Sequence, residues 1–299
     1  MSQRTGERTG GLDRTDVPGT SVFVETNGVR LHTVRAGPED GPLVVLLHGF
    51  PEFWYCWHDQ IRPLANAGYR VVVPDQRGYN VSDKPVGTSA YRLDELAADV
   101  VGIVDDAGRE TAHVVGHDWG AAVAWWLALH HTERVESLTA INVPHPSAMR
   151  RALRSRWGQR LRSWYFLAFQ LPVLPETVSR LGGYRLMERT MTETSLPGTF
   201  TEADFDRYRD AWSQPGALTA MVNWYRAVVR ERSRPRTERV TVPTLVLWGT
   251  EDRFLETRLA HESVDYCDDG RVSLVHGATH WLPHEEPVRV AEALHEQFE

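Results

Sequence analysis

The sequence predicts an α/β fold: a mostly parallel central sheet flanked by helices, with a helical cap inserted between two of its strands. Three observations predict it. Short apolar runs of the kind that strands show when covered on both faces recur along the chain. Stretches with apolar residues at helical spacing separate them, which is the alternation that parallel strands and right-handed crossovers require. The alternation stops at about Pro144 and resumes at about Thr241, around a stretch rich in Arg, Trp, Tyr and Leu with helical patterns and proline breaks.

The elements follow in chain order. Residues 1–20 are rich in Gly, Thr, Arg and Asp and have no apolar core, so a disordered segment is expected there and no signal peptide. "SVFVETNGVRLHTVRAG" (21–37) reads as a hairpin turning at Asn27-Gly28. "PLVVLLHG" (42–49), "YRVVVPD" (69–75), "AHVVGHD" (112–118) and "SLTAINV" (137–143) are strand candidates, joined later by "TLVLWG" (244–249) and the weaker "RVSLVHG" (271–277). Helical spacing marks "LDELAADVVGIVDDAG" (93–108), "GAAVAWWLALHH" (120–131) and "HEEPVRVAEALHEQF" (284–298). The chain thus divides into a first core part (21–143), the cap (144–240) and a second core part (241–299). Sites in such sheets gather at the carboxyl ends of the strands, and a cap inserted after "INV" would lie over that edge.

Composition excludes several functions. Of 299 residues, 41% are hydrophobic and 24% charged, and the net charge of −7 argues against nucleic acid as a partner. Cys56 and Cys267 sit in no CxxC or metal-like spacing, which fits a reducing, cytoplasmic setting. No apolar run reaches the roughly 18 residues of a membrane span. Neither an HExxH pattern nor a phosphate-binding glycine loop occurs, so no metal and no cofactor are expected. "RRALRSRWGQRLR" (150–162) carries six arginines and reads as a solvated helix face rather than a membrane patch. A monomer or a homodimer fits equally.

Gly116-His117-Asp118-Trp119-Gly120 has the G-x-Nuc-x-G pattern of a nucleophile elbow, a tight strand-to-helix turn that lifts its central side chain. The centre is aspartate, where serine or cysteine is usual. An elbow nucleophile needs an acid and then a histidine later in the chain. Asp252 follows "TLVLWG" and His280 follows the last strand in "HGATHW". Glu251 and His276 are their rivals, and Asn142 cannot serve as an acid. The glycine turn in "LLHGFPEFW" (46–54) can aim a main-chain N–H at the same place. An oxyanion hole is expected from the amides of Phe50 and Trp119.

Together these segments resemble the α/β-hydrolase fold and, within it, the epoxide hydrolases. The resemblance rests on "HGFPEFWYCW", "PDQRGYNVSDKP", "GHDWGA", "NVPHP", "WGTEDRF" and "HGATHW", over roughly residues 22–299. It implies two cap tyrosines facing the nucleophile: Tyr165 in "SWYFLAFQLPVLPE", with Tyr184 as a nearby alternative, and Tyr225 in "VNWYRAVV". Most of these motifs are shared with haloalkane dehalogenases. Phe50 lacks the side-chain donor that one dehalogenase group has at its position, while Trp157, Trp164 and Trp212 keep open the cap tryptophan that others use. Trp119 departs from the arginine of fluoroacetate dehalogenases. A catalytically silent ligand-binding protein on this fold is the third reading, and it would need no intact triad.

The aspartate itself points to a bond at saturated carbon. An ordinary carboxylate is ionised at neutral pH and can displace an alkoxide or a halide, giving an ester that a histidine-activated water then cleaves. An epoxide oxygen leaves as a basic alkoxide and calls for strong donors, which phenols supply. Tryptophans near the site segments imply an apolar pocket, drawing on Phe50, Pro51, Trp119, Trp164 and Trp281. The expected partners are a small hydrophobic epoxide and water.

Overall fold

The computed structural model describes residues 18–230, 235 and 237–299; the expectation of disorder falls largely on residues 1–17, which lie outside it. Eight strands form one sheet: β1 (Thr20–Thr26), β2 (Val29–Ala36), β3 (Leu43–Leu47), β4 (Arg70–Pro74), β5 (Ala112–His117), β6 (Val135–Ile141), β7 (Thr244–Gly249) and β8 (Gly270–Val275). Their order is β1-β2-β4-β3-β5-β6-β7-β8. β2 pairs antiparallel with β1 and with β4, and the rest of the sheet is parallel. Every residue of β3, β5 and β7 is buried, which explains their largely apolar runs. β1 at one edge alternates toward its buried end, and β8 at the other edge is only partly covered, so its signal in the sequence is weaker.

Helices α1 (His58–Asn66), α2 (Leu93–Asp106) and α3 (Trp119–His130) connect the first core strands. Leu93, Leu96, Ala97, Val100, Ile103 and Val104 form the buried stripe of α2. The insert contributes α4 (Pro146–Ser155), α5 (Trp157–Arg162), α6 (Tyr165–Ala168), α7 (Leu174–Arg180), α8 (Arg185–Thr194), α9 (Glu202–Ser213) and α10 (Ala217–Arg230). Then follow α11 (Arg258–Val264), α12 (Leu282–Glu285) and α13 (Pro287–Phe298). The sequence predicts one helix over 284–298, and the structure has two. Pro287 lacks the N–H that carrying α12 onward would use, but it suits the first turn of α13.

Tryptophan and tyrosine side chains pin the insert to the core. Trp212 donates to the Pro51 carbonyl at 2.6 Å and Trp224 to the Arg77 carbonyl at 3.0 Å. Tyr208 donates to buried Glu52 at 2.9 Å. The turn that receives Trp224 is itself fixed. Asp75 accepts from Asn80 and from the Trp54 amide, and Arg77 forms a buried ion pair with Asp99. Among the described residues, no helix is long and apolar enough to cross a membrane.

Candidate active site

The chain runs from β3 to one neighbour, β4, and then crosses to the other, β5, so the strand order reverses at β3. A crevice opens at the carboxyl ends of strands where such a reversal occurs. Phe50 follows β3, Asp118 follows β5, Asn142 follows β6, Asp252 follows β7 and His280 follows β8.

Asp118 has φ +51° and ψ −123°, a strained conformation for a residue with a side chain. The neighbouring glycines permit it: a Cβ on Gly116 would lie 2.3 Å from the Gly120 carbonyl carbon. The Asp118 carbonyl opens α3 by accepting from the amides of Ala121 and Ala122 at 2.9 and 3.1 Å. Its side chain, 18% exposed, lies between the Phe50 amide and His280. The Phe50 amide donates to Asp118 Oδ1 at 2.8 Å. Trp119 is the first residue of α3, where amides have no partner within the helix.

His280 Nε2 lies 3.4 Å from Asp118 Oδ2, and its Nδ1 lies 2.8 Å from Asp252 Oδ2. Asp252 is buried and accepts on both oxygens: Oδ1 from the amides of Phe254 and Leu255 at 2.7 and 2.9 Å, Oδ2 also from Asn142 Nδ2 at 2.7 Å. Burial works against its charge, but His280 and these donors outweigh burial and hold the carboxyl below the usual range. Burial likewise opposes charge on His280, yet the Asp252 and Asp118 carboxylates prevail and push it up to about 10. The rivals lie elsewhere: Glu251 and His276 are exposed. Asn142, dismissed as an acid, instead donates to Asp252 from a backbone with φ +56°.

Rings from the insert close over this group. The Tyr225 ring sits 4.9 Å from Trp119, 5.3 Å from Phe50 and 6.0 Å from Tyr165. Burial, followed by the Asp118 charge, raises the phenol pKa of both tyrosines. Phe166 and Phe169 pack on Tyr225 at 4.9 and 4.6 Å, and Phe254 lies between Tyr165 and His280. These three phenylalanines are missing from the sequence reading; only the helical spacing of Phe166 and Phe169 around Tyr165 signals them. Tyr184 packs on Trp212 instead. Pro51 is buried, and its carbonyl holds Trp212. Trp281 is buried behind His280 with its indole donating to Thr194 at 2.9 Å. Trp164 is placed differently from the expectation. It is 66% exposed, because the turn that sends Tyr165 and Phe166 inward leaves Trp164 on the outer side.

A sheet of this order with an elbow after β5 and a helical insert after β6 defines the α/β-hydrolase class, and the family model for the alpha/beta hydrolase fold matches residues 42–287. The chain is 50% identical over 268 residues to the AB hydrolase superfamily protein YfhM of Bacillus subtilis (strain 168), covering 90% of this chain and 94% of that one. It is 37% identical over 311 residues to epoxide hydrolase A of Mycobacterium tuberculosis, covering 92% and 96%. The crystal structure of the Bacillus megaterium epoxide hydrolase in complex with an inhibitor superposes with a TM-score of 0.84 at 29% identity, covering 92% of this chain and 99% of that one. The chain belongs to the epoxide hydrolase family of the α/β-hydrolases.

Proposed function

We propose that this protein hydrolyses a hydrophobic epoxide to a vicinal diol through a covalent ester on Asp118. One observation carries the reading: the elbow presents a carboxylate whose Oδ1 is held by the Phe50 amide, close enough to the phenols of Tyr165 and Tyr225 that its charge adds to burial in raising their pKa values. Family membership supports the substrate class.

Asp118 Oδ2 attacks a ring carbon and the carbon–oxygen bond of the epoxide breaks. Tyr165 or Tyr225 gives its proton to the departing oxygen, which becomes the alcohol of a hydroxyalkyl ester. The tyrosinate recovers a proton from His280, which loses its hold on that proton once Asp118 is esterified. Neutral His280, oriented by Asp252, then takes a proton from water as the water attacks the ester carbonyl. The oxyanion forms on Oδ1, facing the amides of Phe50 and Trp119. On collapse, the second water proton leaves with the diol oxygen, and the ionised Asp118 and charged His280 are restored. The ring of Phe50, Trp119, Phe166, Phe169 and Phe254 around this centre favours an apolar substrate.

A single turnover in heavy-oxygen water tests the scheme. The first diol should carry unlabelled enzyme oxygen, and label should appear in the peptide containing Asp118. Label in the first diol, with none in that peptide, rules the ester out.

A further inference from the structure

The segment 157–171 has two apolar faces. Backbone hydrogen bonds carry helical winding through its breaks, from Ser163 to Gln159, Phe166 to Ser163, Phe169 to Tyr165 and Leu171 to Ala168. One face turns Tyr165, Phe166 and Phe169 toward the site. The other carries Trp157, Leu161, Trp164 and Leu167, at spacings of four, three and three residues. These are 76%, 70%, 66% and 73% exposed. Leu171 and Val173 extend the same exposed surface. Lone exposed apolar residues are ordinary, but a helical row of them with two tryptophans is a surface that lacks its cover.

The charge around it says what covers it. Residues 146–187 hold eight arginines and one acidic residue, in a chain whose net charge is −7. That acid, Glu176, is buried against Arg226. Arg150, Arg151 and Arg156 pair with Glu238, Glu262 and Glu256. Arg154, Arg160, Arg162, Arg180 and Arg185 have no carboxylate in salt-bridge range among the described residues, and Arg160 lies over the Trp157 ring at 5.1 Å. A two-fold dimer through this face would set the unpaired arginines of one copy against those of the other, because the nearby Glu238, Glu256 and Glu262 are already paired within the chain. Tryptophan, leucine and arginine on one surface match instead the boundary of an anionic bilayer, where rings and chains enter the acyl edge and guanidinium groups meet lipid phosphates.

We propose that the outer face of residues 157–173 docks the protein on anionic phospholipid bilayers, placing the insert directly beneath the lipid. This is peripheral binding, for which no membrane-spanning helix is needed, and it does not depend on the chemistry at Asp118.

The test uses the full chain with vesicles of phosphatidylcholine alone and of phosphatidylcholine mixed with phosphatidylglycerol, read by co-sedimentation. Binding is expected only to the mixed vesicles and should weaken as salt is raised. Each arginine near an anionic surface accounts for roughly five-fold in partitioning, so Arg154→Glu with Arg180→Glu should weaken it at least ten-fold. Trp157→Ser, Leu161→Ser and Leu167→Ser together should abolish it. Neither variant should lower the melting temperature, since all five residues are exposed. No binding to mixed vesicles overturns the proposal, as does equal binding to uncharged ones or binding that survives both variants. So does a dimer in solution that the serine variant splits while vesicles stay unbound, which makes the face a subunit interface.

Discussion

Replacing Asp252 by asparagine isolates the second half of the proposed reaction. The carboxylate accepts four hydrogen bonds, two on each oxygen. Asparagine keeps the shape but turns one acceptor into a donor. Whichever way the amide is oriented, its NH2 meets two donors, either the Phe254 and Leu255 amides or Asn142 and His280. Two bonds to a charged acceptor are lost, about 1.5–3 kcal/mol each, so the variant should unfold at least about 3 kcal/mol more easily. The kinetic effect is larger. Burial alone disfavours charge on His280, and Asp252 is the strongest influence opposing it. Without it the imidazole is a weaker base in an unfixed tautomer, a defect that costs about 10⁴ in an analogous triad. Ring opening needs only Asp118 and the phenols, so it should survive. The assay is rapid mixing with an aryl epoxide, read by tryptophan fluorescence beside Trp119 and by intact-protein mass. The ester should form at near the wild-type rate and persist, adding the mass of one epoxide to the chain. Steady turnover within ten-fold of wild type, or slow turnover with no ester, refutes the assignment of Asp252 and His280 to hydrolysis.

Other outcomes follow from the same geometry. Tyr165→Phe or Tyr225→Phe should slow ester formation about 10²-fold, and the pair together more steeply, as measured by single-turnover quench. Ester hydrolysis should change little. Gly49→Ala should abolish activity, because the added Cβ would sit 2.3 Å from Asp118 Cβ; activity within ten-fold of wild type would show that the elbow can shift. His280 also links stability to pH. Its folded pKa of about 10 exceeds the ordinary 6.5, so its contribution is complete below pH 6.5 and is lost as pH rises through 10. Urea unfolding across that window should show wild type losing more stability than His280→Gln.

Much of this was legible because local chemistry and global position coincide. The covered strands β3, β5 and β7 are mostly apolar, and an elbow must have small residues around its tip, so both show in the sequence. Asp252 against Glu251 was not legible. Adjacent carboxylates differ only in which one the turn after β7 directs inward, and Asn142, far off in sequence, shares in fixing that. Which rings of 157–173 face outward was not legible for a related reason. The arginines suggest solvent, while the tryptophans and leucines between them suggest core, and only the fold shows which rings point out. α1 escaped notice because Pro63 lies within nine residues that bury only Gln60, Ile61 and Leu64.

An imidazole held at about 10 is charged at neutral pH and cannot take a proton from water, which at first argues against His280 as a base. The causes remove the difficulty. Burial works against that charge, and two carboxylates sustain it: Asp252, which stays, and Asp118, which alkylation converts to a neutral ester. Ring opening therefore removes one support of the imidazolium at the moment a phenol has lost its proton. In the proposed reaction the proton then moves from His280 to the phenol, and the base becomes free only when there is an ester to hydrolyse. This sequence makes a measurable difference between two states of one residue. In resting enzyme, the His280 ring should titrate near 10 by nuclear magnetic resonance. In the ester, formed rapidly and then jumped in pH, hydrolysis should rise with an apparent pKa well below that value. If hydrolysis instead follows the resting titration, Asp118 does not control the proton on His280, and some other group must deprotonate the water.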